Sequence, residues 1–102
     1  MAYKIIIGPL ANLDITENIE WYNKAQAGLG TTFYNQIKQI INTIRKNPFA
    51  FASRYKKIRT ATLKKFPFMV HYFVDDEQKS IVIISILHTS RNPKTWDERS
   101  EK

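Results

Sequence analysis

The 102-residue chain is 43% hydrophobic and 13% aromatic, which suits the core of one globular domain and argues against a disordered chain. It contains no cysteine, so disulfides, a cysteine nucleophile and thiolate metal sites are excluded. A formal net charge of +7 favours an anionic partner, either a nucleic acid or an acidic protein.

The first quarter of the chain predicts a strand followed by a helix. Residues 1–8 are rich in β-branched side chains and are predicted to form a strand that ends at Gly8 and Pro9. Proline suits the first turn of a helix, and apolar residues recur at helical spacing after it, so a helix is predicted over residues 9–27. The acidic residues of this helix lie in the first twelve of its nineteen residues and are predicted to interact with the helix dipole, which favours anions near the N-terminus: Asp14, Glu17 and Glu20.

A second helix is predicted over residues 30–47. A pair of glycines breaks the first helix, and Thr31 or Thr32 can cap the second. Asn47 precedes a proline and is therefore expected to end it. The apolar stripe of this helix consists of Leu29, Phe33, Ile37, Ile40, Ile41 and Ile44. Since the break between the helices is short, they are predicted to form an antiparallel hairpin.

The second half of the chain has the period of two that is typical of strands. Strands are predicted over residues 54–65, 67–74 and 79–88. The last of these is apolar on both faces, as expected of a covered central strand. A polar turn separates the last two strands and predicts a hairpin, and residues 91–102 form a polar C-terminal tail.

These elements predict a single domain over residues 1–102. Their order is β-α-α-β-β-β, which is typical of an α+β fold in which a helical hairpin packs on a mostly antiparallel sheet. No apolar run approaches the ~20 residues that a membrane span needs. No signal peptide is recognised either, so we expect a cytoplasmic protein that makes no contact with membrane.

The residue types needed for ordinary enzyme chemistry are sparse. There is no phosphate-binding glycine loop and no serine in a nucleophile-elbow context. With two histidines, no cysteine and the carboxylates of residues 75–77 expected far from His88, no metal site and no cofactor are predicted. His71, in the middle of a strand, is interpreted as a structural, half-buried residue. His88, at a strand end, has either a capping or a functional role.

The positive charge is concentrated in the middle of the chain. Ten basic residues and no acidic residue lie between Trp21 and Val74. Because alternate residues of a strand share a face, Lys57 and Arg59 are expected to point the same way from the basic strand. Such a surface can hold phosphates or dock an acidic peptide, and composition does not separate these two functions.

Several short motifs, none specific alone, occur in a specific order over nearly the whole chain. They are Asp14-Ile15, Trp21-Tyr22, Gly28-Leu29-Gly30, Phe33, Ile44, Asn47-Pro48, Arg59, Phe66-Pro67-Phe68, Tyr72, the run from Ile86 to Pro93, and Trp96. In this order the chain resembles the RelE/ParE toxin superfamily, and within it the ParE-like, or plasmid stabilisation, branch. The resemblance implies a bacterial toxin that a co-encoded acidic antitoxin holds inactive in a toxin–antitoxin hetero-oligomer.

The resemblance leaves two targets open. ParE-like members poison DNA gyrase, whereas RelE-like members cut mRNA on the ribosome. RelE-like enzymes place lysines and an arginine on the middle strands, which Lys57 and Arg59 match, and often a tyrosine near the C-terminus. In this chain Met69 stands at the position of a later strand arginine and Trp96 at that of the tyrosine.

Gyrase inhibition is therefore the favoured hypothesis, and ribosome-dependent mRNA cleavage is the alternative. An endonuclease would rely on Lys57, Arg59, His88 and Arg91. A non-catalytic, basic nucleic-acid-binding domain is the third hypothesis. For any target, the expected contact residues are Lys57, Arg59, Lys64, Lys65, His88, Arg91 and Trp96.

Overall fold

The computed structural model describes residues 3–90, which form two helices and one five-stranded sheet. In chain order the elements are β1 (Lys4–Ile7), α1 (Pro9–Ala25), α2 (Leu29–Lys46), β2 (Ser53–Tyr55), β3 (Ile58–Thr62), β4 (Phe68–Asp75) and β5 (Ser80–His88). The strand order in the sheet is β1-β5-β4-β3-β2; β1 is parallel to β5 and the other neighbours are antiparallel. The predicted α+β fold, with two helices on a mostly antiparallel sheet, is confirmed.

The predicted basic strand over residues 54–65 is divided into β2 and β3. A turn at Lys56 and Lys57 joins them, and Lys56 has a left-handed φ of 49°. The order along the chain is therefore β-α-α-β-β-β-β. Nothing in the residue pattern indicated this turn, because lysine is not among the residues that usually adopt left-handed turn positions.

The start of α2 differs from the prediction. Gly28, with a left-handed φ of 87°, is the N-terminal cap, and the helix begins at Leu29. Thr31 and Thr32 lie within the first turn, so neither caps the helix. The hydroxyl of Thr32 donates back to the carbonyl of Gly28 at 3.3 Å.

The two helices come together at Gly30. A Cβ at this position would run into the carbonyl oxygen of Ile19 and the side chain of Asn23. The amide of Gly30 also donates to Oδ1 of Asn23 at 2.8 Å. Glycine is required here because the helix backbones approach closely, and not because it interrupts a helix.

The core lies between the helices and one face of the sheet. Its buried members come from both helices and the central strands: Ala11, Ile15, Phe33, Ile37, Ile44, Val70, Tyr72, Ile81, Ile83 and Ile86. The rest of the predicted α2 stripe, Leu29, Ile40 and Ile41, is partly buried and packs against them. Phe33 packs edge-to-face on Phe66 and Phe68, with ring centroids 5.3 and 5.5 Å apart.

No helix within residues 3–90 is long and apolar enough to cross a membrane.

A bulge in β5 keeps its isoleucines in this core. The register between β4 and β5 shifts at Ile84, which has no partner residue on β4. Because of the extra residue, Ile83 and Ile86 both pack against the helices although they are three positions apart. The bulge is one reason why the sequence of this strand has no clear alternation.

The loop after α2 is fastened to the sheet by Tyr72. This side chain is fully buried, and its hydroxyl donates to the carbonyl of Pro48 at 2.8 Å. Burial raises the pKa of Tyr72 to about 12, against a smaller opposing effect of the Arg59 charge.

We expect Gly30→Ala to destabilise the protein by about 1–3 kcal/mol, because the added methyl group meets backbone that cannot rotate away. The better helix propensity of alanine offsets up to ~1 kcal/mol of this loss. Urea unfolding followed by far-UV circular dichroism measures the difference. Thr31→Ala, at an exposed neighbouring position, is the control. Wild-type stability of Gly30→Ala would contradict the close helix contact.

Stability should fall as the pH rises from 10 to 12. The stabilisation that accompanies the raised pKa of Tyr72 is complete below pH 10, the ordinary tyrosine value, and is lost as the pH approaches about 12. The loss amounts to roughly 2 kcal/mol. In urea unfolding over this pH range, Tyr72→Phe should decline less steeply than the wild type. Tyr34→Phe, at an exposed position on α2, should keep the wild-type slope.

Candidate functional site

The structure places the predicted basic contact residues at opposite ends of β3. Lys57 lies in the β2–β3 turn, whereas Lys64 and Lys65 lie in the connection from β3 to β4, and all three side chains are exposed. At about 3.3 Å per residue the two ends of this five-residue strand are roughly 16 Å apart. His88 pairs with Phe68 at the start of β4 and so lies at the Lys64 end of the sheet.

Arg59 is directed toward the α2–β2 loop. Its Nη1 donates to the carbonyl of Phe51 at 2.6 Å and to that of Phe49 at 3.4 Å. The guanidinium also lies 5.1 Å from the ring centroid of Phe49, a side chain that is 53% exposed. The expectation that Lys57 and Arg59 share one face of a single strand is wrong, because the chain turns at Lys57.

His88 caps the end of β5. Its Nδ1 accepts a hydrogen bond from the amide of Ser90 at 3.1 Å and lies 2.7 Å from the Ser90 hydroxyl. Accepting from an amide requires an unprotonated Nδ1, so the neutral ring carries its proton on Nε2. Arg91 and Trp96, predicted to act beside it, lie outside the described residues, and their roles stay predictions.

His71 and Tyr55 form a pair on the sheet face opposite the helices. His71 is fully buried, not half-buried as predicted, and its Nδ1 lies 2.9 Å from the hydroxyl of Tyr55. In the strand register His71 lies between Thr60 and Ser85, which are also buried. The sequence did not indicate a role for Tyr55. Its contact with His71 becomes apparent only when residues 53–62 are known to form two strands, β2 and β3.

An open groove of about 440 Å³ runs between α1 and the ends of β4 and β5. On the α1 side it is lined by Asp14, Glu17, Asn18 and Trp21. These positions follow one another at helical spacing and form one stripe along the helix. The opposite wall includes Phe68 and His88. The indole of Trp21 is 64% exposed, so an aromatic surface at this rim is open to solvent.

Asp14 connects α1 to the far wall of the groove. Its side chain is only 9% exposed, and Oδ2 accepts a hydrogen bond from the amide of Ile86 at 2.9 Å. The helix-dipole role predicted for Asp14, Glu17 and Glu20 does not apply, because the first turn of α1 contains no acidic residue. One feature of the sequence could have indicated that Asp14 is buried: it stands next to Ile15, at the border of the apolar positions of this helix.

Asp14→Ala should lower the free energy of unfolding by about 1–3 kcal/mol, because a buried amide loses its acceptor. Asp14→Asn keeps a carbonyl oxygen at that position and should lose less. Urea unfolding measures both changes, and amide hydrogen exchange at Ile86 reports the bond itself. Glu17→Ala, at an exposed position of the same helix, should stay within about 0.5 kcal/mol of the wild type. Equal effects of the alanine and asparagine changes would argue against this hydrogen bond.

Comparison with known proteins identifies the family of the chain. The family model of the ParE toxin of the type II toxin–antitoxin system parDE matches residues 5–93. No curated protein sequence matches at a significant level.

Solved structures show the same fold at low sequence identity. A chain of the chromosomal ParDE system from P. aeruginosa aligns with a TM-score of 0.74 and 19% identity, covering 84% of this chain and 95% of that one. A double mutant of the E. coli toxin RelE in the free state aligns with a TM-score of 0.67 and 18% identity, covering 99% of this chain and 97% of that one. A chain of the intact E. coli RelBE toxin–antitoxin complex aligns with a TM-score of 0.67 and 19% identity, covering 88% of this chain and 100% of that one. Because the family model spans most of the sequence, the chain belongs to the ParE toxin family of type II toxin–antitoxin systems.

Proposed function

We propose that this toxin arrests growth by binding and poisoning DNA gyrase and that a co-encoded acidic antitoxin neutralises it. The observation that carries the proposal is the separation of the residues that an RNA-cleaving site would use. Lys57 and His88 lie toward opposite ends of the sheet, and Arg59 is bonded to loop carbonyls.

Cleavage of RNA by its 2′-hydroxyl needs a base, an acid and cations around one phosphate. Side chains separated by the length of β3, roughly 16 Å, do not act on the same phosphate group. This geometry favours a toxin that works by docking. The exposed lysines at the two ends of β3 then serve as separate contact points on a large protein target.

The antitoxin proposal is supported by charge and by the relatives. All ten basic residues between Trp21 and Val74 lie in a stretch without an acidic side chain. On α2 the ammonium group of Lys38 lies 4.9 Å from the ring centroid of Tyr34, which is 42% exposed. A surface that combines positive charge with exposed aromatic rings suits an acidic, amphipathic segment. The related ParDE and RelBE structures are toxin–antitoxin systems, which supports a hetero-oligomer here.

One observation favours mRNA cleavage as a second candidate. The hydroxyl of Tyr55, held 2.9 Å from Nδ1 of His71, lies in the strand that leads into the basic turn at Lys56 and Lys57. In an endonuclease it would supply the hydroxyl group that Trp96 lacks. On this alternative, Tyr55→Phe abolishes message cleavage while the fold is retained.

Induction of the toxin alone should stop DNA synthesis before protein synthesis. Parallel pulse labelling with thymidine and with an amino acid measures the order, and purified protein should inhibit supercoiling by gyrase. Reversing Lys64 and Lys65 together to glutamate should weaken inhibition by about 10-fold, as expected for a loss of roughly 1.4 kcal/mol of charge complementarity.

Lys24→Glu, an exposed reversal at the end of α1, is the matched control and should act like the wild type. A collapse of protein synthesis before DNA synthesis would reject the gyrase target. Primer extension on mRNA from translating cells, with and without Tyr55→Phe, would then test the endonuclease.

A further inference from the structure

We propose that the groove between α1 and the ends of β4 and β5 docks an arginine side chain from a partner protein. None of the lysines at the ends of β3 lines the groove, and neither does Tyr55 or His71. The inference does not depend on gyrase as the target, since it concerns a second surface with different chemistry.

Two residues of α1 give the groove its specificity. Glu17 and Trp21 are four positions apart, so their side chains are neighbours on the helix surface. The indole of Trp21 contacts the ring of Tyr22 edge-to-face, with centroids 5.1 Å apart and an interplanar angle of 84°, and this contact supports its orientation. A guanidinium group stacks on an indole face while its N–H groups pair with an adjacent carboxylate, and lysine cannot make both contacts in one plane.

The size and floor of the groove fit a long side chain. Its volume of about 440 Å³ lies within the usual range of ligand sites, roughly 300–1,000 Å³. Phe68 and Leu87 contribute apolar surface, on which the methylene stem of an arginine can lie. Access is open along one side, so the side chain can enter from an extended segment of another protein.

The described lining of the groove is acidic, although the whole chain is basic. The chain carries a net charge of +7, yet the charged residues within residues 3–90 that line the groove, Asp14 and Glu17, are both acidic. Asp14 is bonded to the amide of Ile86, so the carboxylate offered to a ligand is that of Glu17. The Glu17 residue is exposed, and its carboxylate makes no ion pair or hydrogen bond with residues 3–90. An acidic antitoxin is repelled here, so charge complementarity assigns the groove to a basic segment of a different partner.

Titration of the purified protein with two short peptides tests this inference. The probes are acetyl-Gly-Arg-Gly-amide and the same peptide with citrulline, which has nearly the same shape but no charge. The indole N–H resonance of Trp21, identified by its loss in Trp21→Phe, should shift with the arginine peptide. The citrulline peptide should bind at least about 5-fold more weakly, the factor expected for one charged contact of about 1 kcal/mol.

Two glutamine variants provide the matched comparison. Glu17→Gln should weaken binding of the arginine peptide by about 5-fold. Glu20→Gln, an equal change of charge on the same helix at a position that does not line the groove, should leave binding as it is. Equal responses to the two peptides, or undiminished binding by Glu17→Gln, would overturn the proposal. Since no gyrase is present, failure here is distinct from failure of the proposed target.

Discussion

The bond between the Asp14 carboxylate and the Ile86 amide determines how α1 lies on the sheet. A carboxylate that is only 9% exposed is stable in that position only with hydrogen-bond donors around it, and β5 provides one directly after its bulge. This contact joins α1 to the end of β5, next to the apolar packing of Ile15 and Ile86. The groove and its Trp21 rim lie beside it, whereas the position of His88 follows from the pairing of β5 with β4.

Charge is divided between separate surfaces of the molecule. The acid-free stretch of the sequence supplies α2 and the turns around β3 with lysines and arginines. The acidic turn after β4 finds partners within the chain. The Asp76 carboxylate accepts a hydrogen bond from the hydroxyl of Tyr3 at 2.9 Å and forms an ion pair with Lys79 at 3.2 Å. Asp14 and Glu17 of α1 instead line the groove.

The fold does not by itself decide between the two known modes of action in this superfamily. Chains from a ParDE system and from RelE share this architecture with the protein at 18–19% identity. At that distance function depends on which side chains the shared sheet brings together. Here the sheet separates Lys57 from His88, and Arg59 holds the loop that carries Phe49.

The sequence by itself determined the two helices, their buried stripes, the sheet type and the family, because periodicity and motif order are local properties of the chain. Only the tertiary structure decided the turn at Lys56, the direction of Arg59, the partner of Asp14 and the pairing of Tyr55 with His71. Each of these joins a residue to backbone or side chains from another element, or depends on a backbone conformation unusual for its residue type. The candidate site could therefore be predicted as a set of charged residues but not as a geometry, since contacts between distant segments leave no periodic trace in the sequence.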